Sequence, residues 1–214
     1  MKISDTNTLD LWKRVCINND LKAFEQLFHT LNTKLIKFCI FYIRQKEAAE
    51  DIVSEVFIRC WESRHNLSEI ANPETYLFVV VKNQSLNYIK KYSNIHLVQT
   101  EDSKELEFVN NYDPEKEMER KELHFILDKA ISSLPPQACL VFRLVKEDGL
   151  RYKEVAEILN ISPRTVQTQL FRAIKKLSLI LAHHRVSVKQ NKRSVVDLYA
   201  PGILLLLTFC KFLS

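Results

Sequence analysis

An all-α protein is what this sequence predicts: two small helical domains joined by a flexible acidic linker, the second a helix-turn-helix domain. Three features lead there. Only 2 of the 214 residues are Gly and 6 are Pro, so the turn punctuation an all-β chain needs roughly every 8–12 residues is missing. Apolar residues recur at helical 3–4 spacing through residues 8–92 and again from Leu123. Charge is segregated along the chain. Residues 1–100 carry 13 Lys+Arg against 11 Asp+Glu, residues 101–122 carry 4 against 9, residues 123–150 carry 3 against 3, and residues 151–193 carry 10 against 2. A block of +8 behind a connector of −5 points to a module that binds a polyanion, nucleic acid first.

The elements follow in order. Asn18, Asn19 and Asp20 offer capping side chains ahead of a helix in which Ala23, Phe24, Leu27, Phe28 and Leu31 keep 3–4 spacing. LIKFCIFYI (residues 35–43) is nearly all apolar and is expected to be buried on most sides; at about 9 residues it is too short to span a bilayer. From Glu50 to Trp61, Ile52, Val53, Val56, Phe57, Cys60 and Trp61 make a one-sided helix. Asn72 and Pro73 read as N-cap and first-turn proline of a helix from Glu74 to Lys91. Residues 93–121 are polar, acidic and without period, the composition of a linker. The apolar period then resumes. It is interrupted at Leu134-Pro135-Pro136 and turned at Glu147-Asp148-Gly149.

Several chemistries are excluded. Gly149 and Gly202 stand alone, so no glycine-rich loop exists to cradle a phosphate. Cys16, Cys39, Cys60, Cys139 and Cys210 are scattered and odd in number, with no CxxC, HxxxH or HExxH spacing; neither a disulfide framework nor a helical metal site is expected. Most of them read as buried small hydrophobes. His183 and His184 lie on a basic stretch away from any carboxylate or Cys at ligand spacing, so they read as solvated. No catalytic residue, metal, cofactor or small-molecule substrate is expected. The N-terminus lacks a signal peptide's basic start and apolar core, and a reducing cytoplasm is the simplest compartment.

Residues 152–177, YKEVAEILNISPRTVQTQLFRAIKKL, carry the most information. Lys153 to Leu159 make a short helix with Val155, Ala156 and Leu159 inward, and small Ala156 permits a close helix crossing. Asn160 tolerates a left-handed turn. Ser162 and Pro163 open a second helix, whose expected buried stripe is Val166, Leu170, Ile174 and Leu177. Arg164, Thr165, Thr168, Arg172 and Lys175 fall mainly on the outer side, with Gln167 and Gln169 beside them. Guanidinium forks and amides there suit base edges and phosphates, as in a DNA-binding helix-turn-helix.

At this point the sequence resembles the sigma factors of bacterial RNA polymerase, specifically the short extracytoplasmic-function (ECF) type of the sigma-70 superfamily. AEDIVSEVFIRCWE (residues 49–62) resembles the family's polymerase-binding helix, and SLPPQACLVFRLVKEDGLRYKEVAEIL resembles the entry to its fourth region. The likeness covers residues 20–92 and 123–178, with the acidic segment where the family has a variable linker. It implies residues 1–92 as a region 2-like domain, 93–122 as linker, 123–182 as a region 4-like domain reading the −35 element, and 183–214 as a basic then apolar tail. On the first domain's third helix, Asp51, Glu55, Ile58 and Glu62 share the face opposite the apolar stripe, and the resemblance makes that face the dock for polymerase core. Tyr76, Val80, Asn83, Asn87, Lys90 and Lys91 lie along one face of the next helix. By similarity that face and the loop Leu67 to Asn72 read the −10 element; Asn83 and Asn87 match family positions, whereas Lys90 and Lys91 are assigned from electrostatics.

The implied partners are RNA polymerase core, promoter DNA and an anti-sigma protein, often membrane-bound. A conventional helix-turn-helix regulator is the rival reading, but residues 1–92 show no strand alternation for an α/β input domain. The tail APGILLLLTFCKFLS, broken by Lys211, departs from the minimal pattern and resembles the extended C-termini of Bacteroidetes-like members. Residues 200–213 are expected to touch an anti-sigma partner or to cover an apolar surface of the second domain.

Overall fold

The computed structural model describes residues 3–92 and 127–191, with side chains for 8–92 and 127–182. The expectations for the linker and for the apolar tail lie outside those residues, and the one for His183 and His184 concerns side chains outside the described set. Among the described residues the regular elements are all helical, as expected: α1 (Ile3–Asn18), α2 (Leu21–Ile43), α3 (Lys46–Glu62), a 3-10 turn (Arg64–Leu67), α4 (Pro73–Tyr92), α5 (127–132), α6 (Pro136–Phe142) running into a π-helical turn (Arg143–Glu147), α7 (Tyr152–Leu159) and α8 (Pro163–Asn191). The described residues form two compact units: one contains residues 3–92 with 140–169, the other 127–139 with 170–191.

In the first unit, α2 packs on α1, α3 and α4. The core takes Leu11, Trp12, Val15 and Cys16 from α1, Leu27, Leu31, Leu35 and Cys39 from α2, Val53, Val56 and Phe57 from α3, and Leu77, Phe78 and Val81 from α4. Burying each large side chain contributes roughly 1.5–3 kcal/mol. Edge-on ring pairs lock the interfaces, Phe28 with Phe57 at 4.9 Å and Phe38 with Phe78 at 5.0 Å. Trp12 Nε1 donates to the Leu67 carbonyl at 2.9 Å, which fastens the 3-10 turn to α1.

Helix ends follow local chemistry. Asp20 Oδ1 accepts from Ala23 N at 3.1 Å, and the Arg14 guanidinium, bonded to Asp20 Oδ2 at 2.7 Å, holds that carboxyl below its usual range. Arg44 ends α2 in the left-handed region at φ 55°, its N–H donating to the Ile40 carbonyl at 2.9 Å. That turn carries no glycine to announce it. Asn72 Oδ1 caps α4 through Thr75 N at 3.1 Å, as its sequence predicts.

Four expectations need correcting. Residues 35–43 are covered less completely than expected: Leu35, Phe38 and Cys39 are buried, Ile36 and Ile40 to Ile43 are half-buried, and Lys37 is exposed. α3 begins at Lys46, four residues before the expected Glu50, since Lys, Glu and Ala extend a helix without an apolar signal. In α7 it is Ile158 that joins Val155 and Ala156 in the core, with Leu159 half-buried. In α8 it is Ala173 that joins Val166, Leu170 and Leu177, with Ile174 half-buried. In both cases two adjacent apolar residues straddle the stripe, and packing chooses between them.

Candidate nucleic-acid interface

The short loop between α7 and α8 aims the candidate reading helix. Asn160 adopts φ 54° and ψ 50°, ending α7 with its N–H on the Ala156 and Glu157 carbonyls. Ser162 Oγ then accepts from Thr165 N at 3.0 Å and lies 2.8 Å from Thr165 Oγ1, capping α8 before Pro163. The inward face of α8 is Val166, Leu170, Ala173 and Leu177. Turned away from it, Arg164, Gln167, Thr168, Arg172 and Lys175 are exposed, while Thr165 and Gln169 are half-buried at the edge. The Thr168 hydroxyl donates to the Arg164 carbonyl at 2.9 Å, so its methyl is the part turned outward for contact.

One residue of this face escaped the sequence reading. Phe171 is 62% exposed, and Arg164, Thr168, Phe171 and Lys175 fall at i, i+4, i+7 and i+11 on a single line. An aromatic side chain held out between two cations is suited to apolar contact with a thymine methyl. The helical spacing of Phe171 to Arg164 and Thr168 was the available signal; its neighbour Leu170 hid it by making the pair look like core.

On α4, Asn83, Asn87, Lys90 and Lys91 are exposed along one side, while Leu77, Phe78, Val81 and Ser85 are buried on the other. Tyr76 lies on the same side but is half-buried, edge-on to Trp12 with centroids 6.0 Å apart, and that burial raises its phenol above the ordinary range. Two amides and two ammonium groups therefore face outward over two to three turns, able to meet base edges and phosphates.

On α3, Asp51, Glu55, Ile58 and Glu62 are all exposed, Ile58 at 57%. Glu55 pairs with Arg59 one turn on, a surface contact of little energetic weight. The acidic face continues into a groove whose walls include Glu47, Asp51 and Glu55 of α3 and Tyr88 and Tyr92 of α4, the two rings 4.5 Å apart. It lies across the helix from the core residues Val53, Val56 and Phe57.

Cys16, Cys39, Cys60 and Cys139 are buried, in keeping with their reading as small hydrophobes; desolvation pushes the Cys60 thiol up to about 12. Among the described residues no group of three or more His, Cys, Asp or Glu is placed to hold a metal ion, and no helix is long and apolar enough to cross a membrane.

Comparison with known proteins bears on these faces. The family model for sigma-70 region 2 matches residues 27–95, and that for sigma-70, region 4 matches residues 124–177. The ECF RNA polymerase sigma-E factor of Escherichia coli (strain K12) is 27% identical over 163 residues, covering 72% of this chain and 84% of that protein. Its namesake from Haemophilus influenzae is 28% identical over 168 residues, covering 72% and 85%. Among solved structures, the sigma factor RpoE in complex with the anti-sigma factor NepR from Bartonella quintana matches at a TM-score of 0.55 and 19% identity, over 76% of this chain and 98% of that one. CnrH in complex with the cytosolic domain of CnrY matches at 0.53 and 17%, over 83% and 98%. At those identities the two structures speak for the fold.

Proposed function

This chain belongs to the sigma-70 family, in its ECF group, and on that premise we propose how its surfaces divide the work of starting transcription. The protein is a sigma factor: it binds RNA polymerase core, recognises promoter DNA and directs initiation, with no catalysis of its own. Residues 1–92 act as the core-binding and −10-reading domain, 93–122 as the linker, and 123–182 as the −35-reading domain. Asp51, Glu55, Ile58 and Glu62 dock on polymerase core through an acidic face with one apolar side chain at its centre. Tyr76, Asn83, Asn87, Lys90 and Lys91, with the loop Leu67 to Asn72, take the −10 element, where melted bases are held by stacking and amide contacts. Arg164, Thr165, Gln167, Thr168, Gln169, Arg172 and Lys175 take the −35 duplex, joined by Phe171.

The observation that carries the reading is the line of Arg164, Thr168, Phe171 and Lys175 standing out from α8 behind a capped turn. A conventional regulator with the same output domain would leave the acidic face of α3 without a partner. The solved relatives are bound to an anti-sigma factor, NepR, or to a cytosolic partner domain, CnrY. An anti-sigma protein is accordingly the proposed inhibitor here, with the factor cytoplasmic, held at the membrane through that inhibitor and on the nucleoid when active. Residues 200–213, the stretch that resembles Bacteroidetes-like members, are assigned to that partner or to an apolar surface of the second domain.

Run-off transcription with polymerase core, this protein and a library of upstream fragments tests the function. Specific start sites preceded by two shared elements are the expected result. DNA binding without initiation would transfer the assignment to a conventional regulator.

A further inference from the structure

α1 lies ahead of the region 2 match, which begins at residue 27, and none of the surfaces assigned above draws on it. It is nevertheless tied to the loop assigned to the −10 element. Trp12 is 2% exposed, and its indole N–H reaches across 55 residues of sequence to the Leu67 carbonyl at 2.9 Å. That oxygen also accepts from Ile70 N at 3.2 Å, so a single atom closes the first turn of the loop Leu67 to Asn72 and fixes it to α1. Just ahead of the loop, Arg64 is pinned as well. Its Nε donates to Asn19 Oδ1 at 2.6 Å, its Nη1 donates to the Trp61 carbonyl at 2.6 Å, and the guanidinium lies 4.5 Å from the centre of the Trp61 ring. Asn19 stands at the corner between α1 and α2 with φ 54°.

α4 sets the other end of the loop. Asn72 Oδ1 caps that helix through Thr75 N, and the Asn72 carbonyl accepts from Tyr76 N at 3.0 Å. The Tyr76 ring is the one edge-on to Trp12, 6.0 Å between centroids. The same indole therefore holds the start of the loop by its N–H and backs Tyr76 with its ring. Between the two anchors Glu69 and Ala71 are exposed.

Core filling alone does not explain a tryptophan at this place. Leu11 and Val15 fill the same helix's buried face with no polar atom, whereas an indole brings a donor that must find an acceptor once buried. Its acceptor here is the carbonyl at which the 3-10 turn passes into the loop. Fixing both ends of a short loop beforehand removes conformational freedom that it would otherwise lose on gripping a base.

Resting on the −10 reading of this loop and of Tyr76, we propose that Trp12, helped by Asn19, is a positioning residue for promoter recognition. It shapes the loop from beneath and, being buried, does not touch DNA. α1 thereby contributes to base preference from outside the reading surface.

The test is run-off transcription with polymerase core, the full chain, and promoters in which each −10 and −35 position is varied through all four bases. The quantity scored is the ratio of transcript from the preferred base to that from the others. That ratio does not depend on how much of the factor is folded, so a merely structural role would leave it unmoved. Trp12→Phe keeps a ring beside Tyr76 and drops the N–H, while the Leu67 carbonyl keeps its bond from Ile70 N. It is expected to lower the ratio on the order of fivefold at a −10 position, the share of one hydrogen bond, with the −35 ratios unchanged. Asn19→Gly tolerates the positive φ and frees Arg64; it is expected to lower the same ratio, and it decides the matter if Trp12→Phe does not fold. Unchanged −10 ratios overturn the positioning role, as does an equal flattening at −35. Absence of any start site with the unaltered chain would instead overturn the sigma reading itself, and the proposal with it.

Discussion

Replacing Asp148 by Asn should stabilise this protein at neutral pH and do almost nothing in acid. Burial of the Asp148 carboxyl is the largest influence on it and, opposed by Lys34 and Lys37 and reinforced by Glu147 and Glu74, pushes its pKa from 3.8 up to about 6. The folded state thus holds the proton more tightly than the unfolded chain. The stability tied to that proton is fully present below about pH 4 and is lost as pH rises through about 6. A shift of about two units corresponds to roughly 3 kcal/mol at about 1.4 kcal/mol per unit. Solvent at the partly open edge of the site screens this to about 2 kcal/mol. Asparagine keeps the shape and carries no charge, so Asp148→Asn should gain about 2 kcal/mol at pH 7.5, or roughly 4–8 °C in Tm for a chain of this size. Near pH 4 the gain should shrink below about 1 kcal/mol. Thermal melts of both proteins at pH 4, 6 and 7.5 decide it. A gain of the same size at every pH, or a loss at pH 7.5, would refute the account of Asp148 as a carboxyl buried against α2 and α4.

Arg172→Ala should weaken binding to the −35 duplex and flatten the dependence of log K on log salt by about 0.9, the share of one phosphate contact; an unchanged slope would remove Arg172 from the phosphate-binding set. Asp51→Ala combined with Glu55→Ala should lower capture of polymerase core on the order of tenfold, through lost electrostatic attraction. Helicity and duplex binding should stay as they were, and undiminished capture would dismiss the docking face. For Phe171, exchanging thymine for uracil at a contacted −35 position removes one methyl and should cost about 0.8 kcal/mol, near fourfold in affinity. Phe171→Ala should be indifferent to that exchange, and equal sensitivity in both proteins would show that Phe171 does not touch the methyl.

Much of the local structure was legible because its causes are local. Asp20, Asn72 and Ser162 cap helices through side chains that reach three residues on, and Asn160 takes the left-handed turn its amide tolerates. The polar faces of α3, α4 and α8 could be drawn from spacing alone, since helical geometry places i, i+4 and i+7 together. The failures share a cause too. Ile158 and Leu159, Leu170 and Phe171, and Ala173 and Ile174 are adjacent apolar pairs, and a period of 3.6 cannot say which member faces in. Arg44 turns the chain left-handed with no glycine or asparagine to mark it.

By itself, then, the sequence determined the helical class, the caps and the chemistry each face presents, because those depend on residues within a turn or two of one another. Tertiary structure decided which member of each apolar pair is core, how far Asp148 is removed from water, and where Asn72 and Lys82 spend their donors. The partners of those donors, Glu154 Oε1 and the Ile158 carbonyl, lie 82 and 76 residues away along the chain. Only packing in three dimensions brings such groups within hydrogen-bonding distance, so no local pattern in the sequence could announce them.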